Sequence, residues 1–322
     1  MRRRARALLM GLGLVAAAGL AGCNGEDKSR SSEGAAAQGA TATADRGELA
    51  KSNAYVTAAN ISSGTFSQAL ALHEDTVAPR LASDRPVQDY SVVPVQKVTQ
   101  IRARLETAIT LEGSIPELDQ SARDYAAAID AFEPVNNGLA NYAQSKGFLS
   151  DGGAKARQED AAYTAALAKV AEAETVFFDR IAARDERLLR EAYDKAPEGS
   201  LERYRAGIVM RGKAAMKDAP TVFTDPADTA TRQAFAKNLD EMAAMVEGWD
   251  RAVRAKKPEG CPALQGSFNT VIAGGRRAVQ SADEGRFDPV AGTPSVILQQ
   301  EFNILQSNFA MMISQLNQPN FC

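Results

Sequence analysis

One histidine, one tryptophan and three cysteines are all that 322 residues hold of these rare types. The shortage of histidine excludes much. A di-iron bundle needs Glu-x-x-His on two helices, and a zinc protease needs two histidines one helical turn apart. His73 serves neither alone; with Glu74 and Asp75 it leaves a carboxylate-rich site, against which a solvated polar helix face is the plainer reading. No Gly-x-Ser-x-Gly elbow occurs, and no cysteine has a neighbouring histidine to activate it. Gly274-Gly275-Arg276-Arg277 lies in a helical pattern without the strand and loop of a phosphate grip, and reads as close helix packing. Outside the first residues no Lys/Arg cluster is interleaved with aromatics, which argues against nucleic acid. No alternating run of β-branched residues persists, which argues against a sheet. The expectation is a non-enzyme with no catalytic residue, metal ligand or cofactor.

What the chain does have begins at its start. Arg2, Arg3, Arg4 and Arg6 precede an apolar run from Leu8 to Leu20, too short for the ~20 residues of a membrane-spanning helix and suited to a removable signal. Leu20-Ala21-Gly22-Cys23 then resembles the lipobox of bacterial lipoproteins. That resemblance implies a palmitate-type lipid on the Cys23 thiol and a mature protein starting at Cys23. Asn24, where inner-membrane lipoproteins often carry Asp, leans by the same resemblance toward the outer membrane, facing the periplasm. Another extracytoplasmic membrane surface is the alternative. Loss of residues 1–22 takes four arginines and no acid, so Lys+Arg falls from 37 to 33 against 40 Asp+Glu, a net charge of −7.

Residues 23–45 are rich in Gly, Ser, Ala and Thr and read as a flexible tether, since they offer too little apolar surface to offset ordering. From residue 46 to 322 the apolar spacing is helical. Tyr55, Phe66 and Val77 mark a first segment, bent at Ser62-Ser63-Gly64; Val98 to Ile109 mark a second, stopped by Gly113. Ser114 to Glu117 has capping-box spacing before Leu118, Tyr125, Ile129 and Phe132, with Pro134 expected to kink that helix. A long Ala-rich segment from 153 to 196 carries Tyr163, Leu167, Val170, Phe177 and Ile181, and ends at Pro197-Glu198-Gly199. Further starts fall at Ser200, at Asp225-Pro226, at Cys261-Pro262 and at Thr293-Pro294-Ser295. The fold class expected is all-α, an elongated antiparallel bundle of long helices, with two sub-bundles as an option meeting near 197–200. In an oxidising compartment the remaining cysteines, Cys261 and Cys322, are expected to form a disulfide.

Tyr125, Phe132, Pro134, Asn136, Leu139 and Tyr142, followed by Ser145-Lys146-Gly147-Phe148, Asp151-Gly152 and Lys155, resemble the central pattern of the DUF3829 or YiiG-like lipoprotein family. The opening Asn53-Ala54-Tyr55 is similar as well. The resemblance implies a helical extracytoplasmic lipoprotein and transfers no catalytic residue.

The turn after Tyr142 offers the candidate binding surface: Tyr142, Lys146, Phe148 and Asp151 join an aromatic to both charges in a Gly-rich loop. The competing reading has Phe148 plugging the bundle end and Asp151 capping the next helix. The expected role is binding or scaffolding, with a bilayer partner through Cys23 and an envelope protein as a further partner. The alternatives are an envelope hydrolase using Glu74 and Asp75, or a small-molecule or peptide carrier with a pocket between helices.

Overall fold

The computed structural model describes residues 32–318 except 226 and 288–295, with side chains from Arg46 onward apart from those of 296 and 297. Its regular structure is helical, with no strand among the described residues. The elements are α1 (Ser32–Ser62), α2 (Thr65–Leu72), a π-helical turn (His73–Val77), α3 (Ala78–Leu81), α4 (Val95–Thr110), α5 (Pro116–Gln144), α6 (Gly147–Ser150), α7 (Ala154–Lys195), α8 (Leu201–Thr224), α9 (Thr229–Lys256), α10 (Pro262–Asp283) and α11 (Val296–Leu316). The helical period seen in the sequence is therefore the period of the fold.

Two compact units result, dividing inside α7 between Ala183 and Arg184. That point precedes the 197–200 turn because the last turns of α7 already pack on α8. Asp185 pairs with Lys213, and Gly207 admits the Tyr193 ring, which a Cβ there would meet at 3.0 Å.

In the first unit, α1 runs against α4, as Lys51 reaches Ile109 while Lys97 reaches Ile61. Helix α5 runs against α7, since Tyr125 stacks near Phe177 and Phe132 near Tyr163. Rings at 5.4–6.1 Å centroid spacing form one column: Tyr55, Phe177, Tyr125, Phe66, Phe132, Tyr163 and His73. Fully burying an apolar side chain of this size contributes ~1.5–3 kcal/mol, so the column is a main source of stability.

The second unit closes α8, α9, α10 and α11 into an antiparallel ring. Arg211 meets Glu241, Gly275 lies under Leu239, Gly274 lies against Leu305 and Gly212 lies against Phe309. A Cβ on Gly275 would stand 2.6 Å from Leu239 Cδ1, so this part of the Gly-Gly-Arg-Arg motif is a helix contact. Trp249 meets Phe268 edge-on at 5.2 Å, and Phe223 stacks near Phe287 and Phe302.

Several helix starts differ from their expectations. The α5 cap is Ile115 and has no side-chain cap; its N–H goes instead to Asp119, 3.0 Å away, so Ser114–Glu117 is not the capping box that its spacing suggests. Pro116 at the first helical position supplies no N–H, which leaves a weaker need for a Ser cap. Helix α5 continues through Pro134 to Gln144. The α9 cap is Asp228, accepting from Thr231 N–H at 3.0 Å, rather than Asp225; Pro226 and the Thr293-Pro294-Ser295 start lie outside the described residues. Helix α1 begins at Ser32, inside the stretch read as a tether, where Ala35, Ala36 and Ala37 favour helix strongly.

Gly113 and Gly138 give a contrast of sign. Gly113 has φ +99°, and a Cβ there would meet Glu48 N and Gly47 C at 2.9 Å, whereas a Cβ on helical Gly138 meets nothing within 4 Å. Urea denaturation should show Gly113→Ala destabilised by more than ~1 kcal/mol and Gly138→Ala stabilised by up to ~1 kcal/mol.

Candidate functional site

At one end of the first unit, α5 stops at Gln144, Lys146 takes a left-handed φ of 54°, and the short α6 leads into α7. Phe148 is 3% exposed and stacks near Tyr142 and Tyr90, at 6.3 and 6.4 Å. Gly147 is required under the Tyr142 ring, where a Cβ would come within 2.6 Å. Asp151 accepts from Tyr142 Oη at 2.7 Å and from the N–H groups of Gly153 and Lys155 at 2.8 and 3.1 Å. The Tyr142 hydroxyl and those N–H groups hold the Asp151 carboxyl below its ordinary range, while burial and then Asp151 push Tyr142 up to about 12. The loop therefore brings Tyr142, Phe148 and Asp151 together, but with Phe148 turned inward and Asp151 engaged as a cap. Of the expected binding surface, Lys146 faces solvent, joined by Leu149 at 53% exposure.

The 82–94 connection is tied across the same end. Arg157 donates to the carbonyls of Leu81, Gly152, Ser83 and Arg85 at 2.8–3.1 Å. Asn136 Nδ2 donates to Val93 O at 2.9 Å and Tyr163 Oη accepts from Val93 N at 3.2 Å. A run with two prolines and no helix is thus held by side chains from α5 and α7.

His73 is buried, not on a polar face: it points inward, with Nε2 2.8 Å from Asp160 and its ring against Tyr163. The His73 N–H still bonds to Ala69 O, and the residue stands seven after the buried Phe66, so it continues the inward face of α2. Glu74 and Asp75 stay exposed, so the trio does not converge. Among the described residues no three His, Cys, Asp or Glu side chains are placed to hold a metal.

Two charged groups that the motifs did not disclose lie deeper. Glu174 is fully buried; its carboxylate accepts from Ser62 Oγ, from Tyr125 Oη at 3.1 Å, and from both the N–H and the Oγ of Ser67 at 2.9 Å. Ser67 is the third residue of α2, whose cap Gly64 offers no side chain, so Glu174 caps α2 from another helix. Burial pushes this carboxyl up from its ordinary 4.5, and the donated hydrogen bonds offset only part of that. Just before the break, at Ser63 and Gly64 with φ 48° and 70°, Lys97 Nζ donates to Ile61 O at 2.6 Å. Lys51 does the same for α4, donating to Ile109, Leu111 and Gly113 carbonyls at 3.0–3.2 Å while pairing with Asp119 at 3.2 Å. Burial raises the Asp119 carboxyl, but donation from Tyr55 Oη at 2.6 Å, Ile115 N–H and Lys51 outweighs it and holds the group below its ordinary value. The available signal was position: Glu174 stands on the stripe Leu167, Val170, Phe177, Ile181, and Lys51 stands one turn before Tyr55.

Cys261 caps α10, is 5% exposed and is disulfide-bonded; Cys322 and Cys23 both lie outside the described residues. No helix among the described residues is long and apolar enough to cross a membrane.

The family described as "Protein of unknown function (DUF3829)" matches residues 47–318. The chain belongs to the DUF3829 family. Comparison with curated proteins and with solved structures gives no match. The DUF3829 span opens beside the Gly47–Gly113 contact, takes in both units and excludes the leader. In DUF3829 terms, then, the loop at Tyr142 and the Glu174 cap both lie inside the matched region.

Glu174 makes stability depend on pH in a stated direction. Its folded pKa lies above the unfolded 4.5, so its contribution is full below that value and is lost as pH rises through the folded one. Chemical denaturation from pH 4 to 8 should show Glu174→Gln gaining on the parent as pH rises. Glu174→Ala, which orphans the α2 donors, should cost ~2–4 kcal/mol throughout.

Proposed function

We propose that this chain is a lipid-anchored envelope protein that works by binding or scaffolding, and that it performs no catalysis of its own. The arginine-led, apolar leader ending in Leu-Ala-Gly-Cys supports the anchor, with Cys23 carrying the lipid and Asn24 favouring the periplasmic face of the outer membrane. Two acyl chains, at ~0.8 kcal/mol per buried methylene, hold a protein stably on a bilayer. The observation that carries the non-catalytic part is the use made of the buried ionisable groups: Glu174, Asp119 and Lys51 are spent on helix ends, and His73 on Asp160. The hydrolase alternative draws no support from Glu74 and Asp75, which lie exposed and apart from the buried His73.

Cys261 is assigned Cys322 as its disulfide partner, because a lipidated Cys23 leaves no other thiol. The bridge closes a loop of about 60 residues, worth ~4 kcal/mol in the chain-entropy treatment.

Mass analysis of the protein from cell membranes should find an N-terminus at Cys23 bearing a diacylglyceryl group. Cys23→Ser should lose the label from radioactive palmitate and leave the leader uncut. A cytosolic protein with an intact leader overturns the anchor. Crosslinking in intact cells should recover a protein partner, and turnover of envelope material by the purified chain would overturn the non-catalytic reading. Cys322→Ser should expose one alkylatable thiol at Cys261.

A further inference from the structure

Helix α11 has a surface unlike those of its neighbours. The outer faces of α7, α9 and α10 carry ion pairs such as Arg190–Glu186 and Arg276–Asp240. From residue 296 to 318 the one ionisable side chain is Glu301, and it is half-buried. Phe302, Leu305, Phe309 and Ile313 face the core. On the opposite side Gln300, Ile304, Ser307, Met311 and Ser314 are all exposed, Ile304 at 59% and Met311 at 56%. Solvent-facing, uncharged and partly apolar, this strip follows the 4-3-4-3 spacing of a two-helix seam.

The order of side chains along the strip is its own complement when read backwards. In an antiparallel pair centred beside Phe309, Ile304 of one copy lies opposite Ser314 of the other, and Met311 lies opposite Ser307. Gln300 then lies opposite Gln318, just past the helix end. Each large apolar side chain meets a small hydroxyl residue, twice over by symmetry, which is the isologous pattern of a two-fold contact. We propose that this face of α11 pairs with the same face of a second copy of the chain.

Charge selects that occupant. The chain is net acidic, −3 over its full sequence, so two copies repel over much of their surfaces. Here there is nothing to repel: the two Glu301 carboxylates fall at opposite ends of the pair, ~24 Å apart along the axis and beyond the ~10 Å screening length. A charged peptide or an anionic lipid surface finds no counter-charge on the strip. A single helix pair of this length is a small interface beside the ~1,200 Å² or more of stable complexes, so pairing is weak, with a midpoint on the order of 0.1 mM.

The full-length protein carrying Ser307→Cys and Met311→Cys is oxidised in intact cells and resolved without reductant. A band at twice the chain mass is expected, reduced at least tenfold when Ile304→Glu is added. The parent sequence and a pair of equal spacing on the α10 surface, Ala273→Cys with Arg277→Cys, should give none. Sedimentation of the purified full-length chain should show mass rising with concentration up to ~1 mM, and Ile304→Glu with Met311→Glu should abolish the rise while circular dichroism stays helical. Absence of the homodimer band, equal linking from the α10 pair, linking only to a different protein, or a constant monomer mass each overturns the assignment. This outcome is independent of lipidation at Cys23.

Discussion

A charged side chain from one helix terminating the backbone of another is the interaction on which this structure depends. The sharpest instance is the break between α1 and α2. Two residues of positive φ, exposed Ser63 and buried Gly64, stop one helix and start the next, and on the buried side carbonyls and N–H groups are turned away from water. Each such group costs ~1–3 kcal/mol if unmet. Lys97 reaches the carbonyl side from α4, and the Glu174 carboxyl accepts on the N–H side from α7, so each end of the break has a partner from another helix. Two other helices thus add partners to the local ones, which Ser63, Thr65 and Gln68 supply to the carbonyls of Asn60, Ser62 and Ser63.

The same solution recurs. Lys51 closes the α4 end, Arg157 gathers four carbonyls around the 82–94 connection, and Arg203 donates to Tyr193 and Ala196 carbonyls at the end of α7. Arg205 closes the end of α11 by donating to Leu316 O. Most of these bonds span from about 30 to more than 100 residues of sequence, so they specify which helix lies beside which as well as satisfying backbone. Apolar stripes alone pack in several registers, because leucines and alanines tolerate exchange of partner. A buried charge does not, since it has full compensation in one arrangement only. The aromatic column of the first unit supplies the burial, and its polar tips, Tyr55 to Asp119 and Tyr125 to Glu174, join it to the same charges.

Legibility from the sequence divides along this line. The helical period, the stop at Gly113, the Ser62-Ser63-Gly64 break and the Ser200 cap were readable, because each depends on neighbours within a few residues. Asp151 as a cap and Phe148 as a plug were readable as one of two options, and burial decides between them. Glu174 was not readable as a cap: its partners Ser62 and Ser67 lie more than 100 residues away, and in α7 it is one acid among many. His73 reads as part of a polar face because Glu74 and Asp75 follow it, yet it lies seven residues after Phe66 on the inward face of α2, and its partner Asp160 is 87 residues away. The Ser114 box failed for a related reason, as Asp119, held by Lys51 and Tyr55, had first claim on the N–H at that helix start.

A protein that commits its buried charges to holding helix ends has placed a constraint on where its function can reside. Moving Glu174 or Lys51 to engage a ligand would reopen a helix terminus, and the cost of that exceeds what one new hydrogen bond returns. Function is therefore more economically sought on surfaces whose side chains have no such duty. The Tyr142 loop only partly qualifies, since Asp151 and Phe148 are already employed and Lys146 and Leu149 remain outward. The outer strip of α11 qualifies more fully, because Ile304 and Met311 are 59% and 56% exposed and their apolar side chains hold no helix end.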